Sequence, residues 1–102
     1  MEDQYQIIYT KSMYKDLNRI KKFIINPAYY EYTVERIDED IKILTSMPRM
    51  HKTIYKHNDK NTEYRRIVSG KYIIIYKIIK NQIIILRIFH INKIIWIQRV
   101  LF

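Results

Sequence analysis

Two side chains in the second half of the sequence, Arg66 and His90, have the chemistry to act on a phosphodiester. A guanidinium stabilises the extra negative charge that a phosphodiester develops in the transition state. An imidazole titrates near neutral pH, so it can move a proton to or from a ribose or leaving oxygen. The sequence therefore offers Arg66 and His90 as candidate catalytic residues. The alternative for His90 is ordinary, because a lone histidine at a strand end is more often a surface or capping residue.

Positive charge is concentrated around this pair. Residues 65–102 contain eight basic side chains and no acidic one, whereas residues 1–64 contain eleven basic and ten acidic ones. A surface of one sign attracts a polyanion such as RNA, DNA, an anionic membrane or an acidic protein. We predict that nucleic-acid contacts come from five of these residues: Arg65, Lys71, Lys77, Arg87 and Lys93. The alternative is a protein whose high pI, about 9.8, has no functional meaning.

Several other kinds of site are excluded by composition. The chain has no cysteine, and His51 and His57 lack partners at metal-ligand spacing, so we expect neither a metal nor another cofactor. The acidic run Asp38-Glu39-Asp40 is better explained as a solvated helix face than as a carboxylate pair. The N-terminus lacks the features of a secretory signal, and charges interrupt every long apolar stretch, so we expect a cytoplasmic protein without a membrane span.

The first half of the chain predicts a strand followed by two helices. Alternating polar and apolar residues at 4–10 indicate a half-buried strand. Ser12 is a plausible N-cap for a helix whose apolar stripe is Met13, Leu17, Ile20 and Ile24. Asn26-Pro27 ends that helix and begins the next, because the residue before proline avoids the α region and proline is favoured in a first turn. The second stripe contains Tyr30, Val34, Ile37, Ile41 and Leu44, and Thr45–Pro48 ends it.

Three strands are predicted after the helices, at Tyr64–Ser69, Tyr72–Lys80 and Ile83–His90. Gly70-Lys71, or else Ser69-Gly70, is suited to the first two-residue turn, and Asn81-Gln82 to the second. The middle strand is apolar on both faces, so it should be central, and Thr53–Tyr55 is a possible additional short strand. We therefore predict a single α+β domain over residues 1–102, in the order β-α-α-β-β-β, with an αα-hairpin against an antiparallel meander.

This register predicts which side chains share a face of the sheet. A turn at Asn81-Gln82 pairs Ile73 with His90 and Tyr76 with Arg87. Arg66 would then share one face with His90 and Lys77, whichever of the two earlier turns is used, because a register shift of two preserves the face.

Three segments of the sequence resemble the RelE/ParE toxin superfamily of type II toxin–antitoxin systems: YTKSMYKDLNRI (9–20), LTSMPRM (44–50) and YRRIVSGKYIIIYKIIKNQIIILRIFH (64–90). The resemblance implies the same fold and a small cytoplasmic toxin of the kind linked to plasmid stabilization. It also implies a cognate antitoxin that wraps the toxin in a hetero-oligomer. RelE-like members are mRNA interferases, endoribonucleases that cleave mRNA on the ribosome, whereas ParE-like members are gyrase inhibitors that poison DNA gyrase.

The family's two mechanisms are both partly represented in the sequence. Arg66 and His90 match positions where some RelE-like nucleases have a catalytic arginine and histidine. Ile73, however, replaces the arginine that commonly follows the tyrosine, and Ile91-Asn92-Lys93 replaces a basic or tyrosine-bearing motif. The long helical hairpin, about residues 12–46, is more ParE-like. The expected function is growth inhibition by mRNA cleavage or by gyrase poisoning, so enzymatic activity stays open.

Two alternatives to an active toxin remain at this point. The chain would be either a non-enzymatic basic module that binds nucleic acid, or a degenerate toxin that only binds its antitoxin. The apolar tail Ile91–Phe102, a strand or short helix, is expected to contribute to an antitoxin or self-association surface, because it contains Ile94, Trp96 and Phe102 among other large apolar residues.

Overall fold

Five strands and two α-helices make up the part of the chain that a computed structural model describes, residues 5–56 and 62–93. Their bounds are β1 Gln6–Tyr9, α1 Lys11–Phe23, α2 Pro27–Lys42, β2 Lys52–Lys56, β3 Thr62–Ser69, β4 Tyr72–Ile79 and β5 Gln82–His90. Short 3₁₀ turns follow α2 at Ile43–Thr45 and β5 at Ile91–Lys93. The predicted extra strand is confirmed as β2. The prediction for the apolar tail lies outside the described residues beyond Lys93.

Thr10, rather than Ser12, caps the first helix. Its hydroxyl oxygen accepts a hydrogen bond from the Met13 amide at 3.2 Å and donates one to the Ile85 carbonyl at 2.6 Å. The prediction of Ser12 was wrong because both Thr10 and Ser12 precede the first apolar residue of the helix, and either could cap it. The hydrogen bond to β5 that favours Thr10 joins residues far apart in the sequence, so the local pattern did not reveal it. Thr10 therefore fixes the start of α1 to the sheet.

Asn26 and Pro27 form the junction between the helices, as predicted. The Asn26 side chain accepts hydrogen bonds from the Ala28 and Tyr29 amides, and Pro27 occupies the first helical position. The inner face of α2 and the turn after it buries Ile37, Ile41 and Leu44. The two helices consequently form a hairpin over one face of the sheet.

The five strands form one mixed sheet in the order β1-β5-β4-β3-β2. Strands β2 to β5 are antiparallel neighbours, and β1 pairs in parallel with β5. The predicted α+β class is confirmed, and so is the central position of β4, whose Ile73, Ile74 and Ile75 are all buried. The parallel edge strand β1 is an addition to the predicted antiparallel meander.

The β3–β4 register agrees with the first of the two predicted turns. Gly70-Lys71 forms the turn, Val68 is opposite Ile73, and Arg66 is opposite Ile75. Gly70 has φ +60°, a conformation that glycine adopts without steric cost. The choice of Gly70-Lys71 therefore follows from backbone chemistry.

The predicted β4–β5 register is wrong in two respects. The turn is Lys80-Asn81 instead of Asn81-Gln82, with Lys80 at φ +55°. In addition, the register shifts between Ile75 and Tyr76, because Leu86 is an extra residue in β5. Moving the turn by one residue shifts the pairing by two residues, so each side chain keeps its predicted face. A one-residue bulge shifts the pairing by one, so every later residue of β5 lies on the opposite face from the one predicted. His90 is therefore opposite Tyr72 rather than Ile73, and Arg87 is opposite Ile75 rather than Tyr76.

The two faces of the sheet have separate apolar clusters. The larger cluster joins α1 and α2 to the sheet through residues such as Met13, Ile41, Ile74 and Tyr76. On the opposite face, Ile73 and Ile75 are buried, with Ile54, Leu86 and Phe89 packed against them. We call this second face, turned away from α1 and α2, the distal face. Neither α-helix in the described ranges is long and apolar enough to cross a membrane.

Candidate functional site

Arg66 and His90, the candidate catalytic pair, lie on opposite faces of the sheet. Arg66 is opposite Ile75 and therefore belongs to the distal face. His90 is opposite Tyr72, whose ring it meets edge to face at 5.4 Å between centroids, on the helix side. The prediction that the two share a face was wrong, and the bulge at Leu86 is the physical reason. The sheet therefore does not bring the two side chains together on one surface.

His90 lies at the end of β5 in surroundings that suit a capping residue. Its Nδ1 accepts a hydrogen bond from the Asn92 amide at 3.2 Å, which closes the 3₁₀ turn after the strand. It also lines a largely apolar cavity of about 370 Å³ with Arg19, Phe23 and Ile88 of the helix side. These contacts favour the ordinary alternative over a catalytic role.

Three cationic side chains lie on the distal face: Lys52, Arg66 and Lys77. Lys52 is directly opposite Arg66 across β2 and β3, and Lys77 follows Ile75 by two residues on β4. Like charges directly opposite each other destabilise a sheet. Among the described residues, none of the three makes a hydrogen bond or ion pair through its side chain. The arrangement leaves their charge available for an external anion.

The distal face combines this charge with an apolar floor, and its described strand residues include no carboxylate or imidazole. Ile73 and Ile75 form the floor, and Val68, more than half exposed, extends it. Of the described strand residues, Glu63 is the one acidic residue, and its position opposite Ile78 places it on the other face. No described strand residue of this face is Asp, Glu or His. The surface is suited to binding an anion and poorly suited to proton transfer near neutral pH.

Arg65, a predicted nucleic-acid contact, makes its bonds within the protein. Its guanidinium binds the Glu63 carboxylate at 2.9 Å and donates to the carbonyl oxygens of His51 at 2.6 Å and Arg49 at 3.3 Å. The side chain is only 12% exposed. Burial raises the pKa of Glu63, but the hydrogen bonds from Arg65 and Arg49 outweigh it, and the net effect lowers that pKa. Arg65 thus holds residues 46–51 against the sheet.

Arg87 is also bound within the protein, although the register assigns it to the distal face. Its guanidinium makes two hydrogen bonds to Asp16 of α1, at 2.8 and 3.0 Å, and lies over the Phe89 ring at 4.6 Å. The hydrogen bond to Asp16 raises the pKa of Arg87 further. Asp16 in turn accepts the Ile88 amide at 2.9 Å, at a point of β5 beyond its pairing with β1. Arg87 and Asp16 therefore join α1 to the edge of β5.

The remaining predicted contacts lie at the ends of strands. Lys71 is exposed in the β3–β4 turn, beside Arg36 and Ser69. Lys93 is the last residue of the 3₁₀ turn after β5. Of the predicted binding residues, Lys77 is the one that joins Arg66 on the distal face without an internal ion pair. The predicted set is thus divided among several surfaces.

Sequence reasoning overlooked Lys52, Asp16 and Glu63. Asp16 lies three residues after Met13 and four before Ile20, so its place on the apolar stripe was visible in the spacing. Lys52 and Glu63 gave no comparable indication, because their roles depend on the pairing of β2 with β3. No group of three potential metal ligands occurs within the ranges 5–56 and 62–93.

Comparison with protein families identifies one family whose sequence model matches most of the chain. A family model described as the ParE toxin of the type II toxin-antitoxin system, parDE, matches residues 7–95. No curated protein matches the sequence at a significant level.

Two solved structures share the fold. A chain of the archaeal RelE-RelB complex from Pyrococcus horikoshii OT3 is 21% identical with a TM-score of 0.63, and the match covers 88% of this chain and 98% of that one. A chain of the toxin-antitoxin complex RelBE2 from Mycobacterium tuberculosis is 24% identical with a TM-score of 0.53, covering 85% and 98%. At these identities the likeness is one of fold.

Proposed function

The chain belongs to the ParE toxin family of type II toxin–antitoxin systems, and from this we propose that it is a growth-inhibiting toxin that acts without cutting RNA, by poisoning DNA gyrase. The observation that carries the choice of mechanism is the separation of Arg66 from His90 by the thickness of the sheet. The proposed place of action is the cytoplasm, where gyrase works on DNA.

Cleavage of RNA requires two functions at one phosphodiester. A donor must stabilise the developing charge, and a group titrating near neutrality must move a proton within hydrogen-bond reach. Arg66 offers the first on the distal face, while the described strand residues of that face include no Asp, Glu or His for the second. Loss of general acid–base catalysis typically costs 10²–10⁴-fold in rate. This geometry supports a binding mechanism over a nuclease.

The distal face is the surface that we propose for the target. Lys52, Arg66 and Lys77 supply positive charge with no described internal partner, and Ile73, Ile75 and Val68 supply apolar area beside them. A gyrase–DNA complex presents both anionic phosphates and protein surface, and the mixed character of the face fits such a target. Truncating these cations should weaken toxicity gradually, as expected for electrostatic contacts.

We also propose that a cognate antitoxin neutralises the protein in a hetero-oligomeric complex. Two of the solved structures that share the fold are a RelE-RelB complex and the toxin-antitoxin complex RelBE2. An antitoxin for this chain would carry an acidic segment, because residues 65–93 contain seven basic side chains and no acidic one. Such a segment on the distal face would mask the proposed target surface.

Inducible expression in a bacterial host tests the proposal. We expect growth arrest, induction of the SOS response and accumulation of stalled gyrase–DNA complexes, with no site-specific cuts in ribosome-bound mRNA by primer extension. His90→Ala should arrest growth as the unchanged chain does, because His90 is on the other face. A double variant Lys52→Gln/Arg66→Gln should arrest growth less, whereas the matched Lys15→Gln/Lys22→Gln variant on exposed helix positions should not differ from the parent.

Three outcomes would contradict this mechanism. Cuts in mRNA that disappear in His90→Ala or Arg66→Ala would establish the nuclease instead. Absence of any growth phenotype at high expression, together with tight antitoxin binding, would indicate a degenerate toxin. Nucleic-acid binding without a growth phenotype or antitoxin affinity would indicate a simple basic binding module.

A further inference from the structure

A cavity between α2 and the β3–β4 turn has the composition of an anion site, and we propose that it binds a phosphate group, either as free phosphate or as the monoester end of a nucleotide. The cavity has a volume of about 180 Å³, and Tyr29, Tyr32, Arg36, Ser69 and Lys71 are among its lining residues. It is separate from the distal face, and the proposal stands whether or not gyrase is the target.

Ser69 is the first observation that points to a binding site. Its side chain is 2% exposed, and its hydroxyl has no hydrogen-bond partner, the one such buried side-chain group found within the described ranges. A buried unsatisfied hydroxyl costs about 1–3 kcal/mol, so it calls for an explanation. Ser69 lines the cavity, so we infer that its hydroxyl turns towards an anion bound there.

Arg36 and Lys71 are the second indication. The Arg36 side chain lies across the turn, within about 4 Å of the position that a Cβ on Gly70 would take, and Lys71 is the next residue of the turn. Neither forms an ion pair among the described residues, although Arg36 also borders Glu35, Glu39 and Asp40 on its other side. None of the eight residues lining the cavity is acidic. The cavity thus has two cations and no internal counter-charge.

Tyrosine side chains form the remaining wall. Tyr29 and Tyr32 stack at 6.4 Å between ring centroids, and the Tyr32 hydroxyl is 3.5 Å from Arg36 Nη1. Tyr72 closes the inner side and is itself largely buried. Phenol hydroxyls donate hydrogen bonds to anionic oxygens and hold the neighbouring cations in place. The site therefore offers donors from α2, β3, β4 and the turn.

A phosphate fits this set of donors better than a carboxylate does. A phosphate monoester carries a charge of −1.5 to −2 near pH 7 and presents three acceptor oxygens. A carboxylate carries one charge on two oxygens, so it would leave one of the two cations uncompensated. Arg36 can bind two phosphate oxygens with its planar fork, while Ser69 and Lys71 reach the others.

Titration of the purified full chain tests the proposal, using calorimetry in phosphate-free buffer at low ionic strength. The probes are inorganic phosphate, AMP, and an oligonucleotide with either a 5′-phosphate or a 5′-hydroxyl. We expect saturable binding of phosphate, and at least tenfold weaker binding in Arg36→Gln and Lys71→Gln. Tighter binding of the 5′-phosphorylated oligonucleotide than of its 5′-hydroxyl form would identify a nucleic-acid end as the source, and equal binding would identify free phosphate.

Ser69→Ala separates a binding role from a structural one. Because it removes an unsatisfied hydroxyl, it should not lower the unfolding temperature of the free protein, yet it should reduce the stabilisation that phosphate gives. Lys22→Gln, an equal loss of charge on exposed α1, serves as the control and should bind phosphate within twofold of the parent.

Three results would overturn the proposal. They are the absence of saturable phosphate binding, an equal loss of affinity in Lys22→Gln, and a glutamate-rich peptide that binds these same residues more tightly than phosphate does. The last result would assign the cavity to an acidic protein partner.

Discussion

Asp16 is a charged residue inside an apolar stripe, and its surroundings account for it. The side chain is 1% exposed and accepts hydrogen bonds from the guanidinium groups of Arg19 and Arg87 and from the Ile88 amide. A buried charge of this kind costs little when it is paired and fully bonded, and a great deal when a partner is removed. Asp16 therefore joins α1 to β5 in one defined orientation.

Replacing Asp16 with alanine should destabilise the protein by about 3–5 kcal/mol, because the substitution leaves Arg87 and the Ile88 amide without their acceptor. Urea unfolding followed by circular dichroism measures the change. Asp38→Ala is the matched control, since Asp38 forms a solvent-exposed pair with Lys42 whose loss should cost much less. A cost for Asp16→Ala within 1 kcal/mol of that for Asp38→Ala would refute this account.

Ile73 occupies the position where the family's nucleases commonly have an arginine, and the structure explains what that difference means for folding. Its side chain is 1% exposed and belongs to the apolar cluster of the distal face. An arginine introduced here would be desolvated among Ile54, Leu86 and Phe89 without a described acidic partner on that face. Introducing an arginine at this position is therefore expected to destabilise the sheet.

Ile73→Arg should cost about 3 kcal/mol or more in the free energy of unfolding, as expected for a core substitution that also buries a charge. Val68→Arg provides a close control, because Val68 is opposite Ile73 on the same face but is 53% exposed. That variant should change stability by less than about 1 kcal/mol. A stable Ile73→Arg protein that cleaves mRNA would show that the position is adaptable and the chain a lapsed nuclease.

Among the elements, the segment 46–51 depends on the sheet for its conformation. The Tyr76 hydroxyl donates to the Pro48 carbonyl at 2.8 Å, and burial raises the pKa of Tyr76 to about 12. Arg65 donates hydrogen bonds to two further carbonyl oxygens of the segment, and the Arg49 guanidinium donates to the Glu63 carboxylate. Glu63, 14% exposed, is the shared acceptor of both guanidinium groups. The carboxylate thereby stabilises a long connection that has no regular structure of its own.

Glu63 should make stability depend on pH. Its pKa is lower in the folded protein than the ordinary value of 4.5, so its contribution is fully present above about pH 5 and is lost as the pH falls through the folded value. Melting temperatures between pH 3 and 6 should converge for the parent and Glu63→Gln at the acidic end and separate above pH 5. Glu31→Gln, at an exposed position of α2, should follow the parent. A constant difference between parent and Glu63→Gln across this range would rule out the linkage.

The elements were largely predictable from the sequence, whereas their mutual register was not. Apolar periodicity located both helices and the strands, and Gly70 marked its turn, because these signals are local. The bulge at Leu86 has no such signal, since the run Ile83–Arg87 contains neither glycine nor proline. A single extra residue moved His90 to the other face and divided the predicted site. The pairing of β1 with β5 was equally hidden, because it joins residues far apart in the chain.

At the scale of the whole molecule, only some of the basic residues of the acid-free segment lie together on one surface. Internal acceptors bind Arg65 and Arg87, so the charge at these positions serves the fold. Lys77 and Arg66, joined by Lys52 from outside the acid-free segment, form the cationic part of the distal face. Counting charges along the sequence did not reveal that Arg65 and Arg87 have internal acceptors.

Salt dependence of DNA binding measures how many cations the distal face contributes. Each neutralised phosphate on duplex DNA adds about −0.9 to the slope of log affinity against log salt. A triple variant with Gln at Lys52, Arg66 and Lys77 should therefore lower the magnitude of the slope by about 2.7. A triple variant at the exposed helix positions Lys11, Lys15 and Lys22 removes the same net charge and should change the slope much less. Equal changes in the two variants would show that the binding is a property of overall charge alone.

The pairing of β1 with β5 has a consequence for synthesis of the protein. The strand at residues 6–9 finds its neighbour at residues 82–85, and Thr10 and Asp16 find theirs at residues 85–88. A nascent chain that has emerged only as far as β4 consequently lacks the neighbour of its first strand and the partners that hold α1. Because such distant contacts form late in folding, β1 and α1 should reach their final places on the sheet only after β5 has been synthesised.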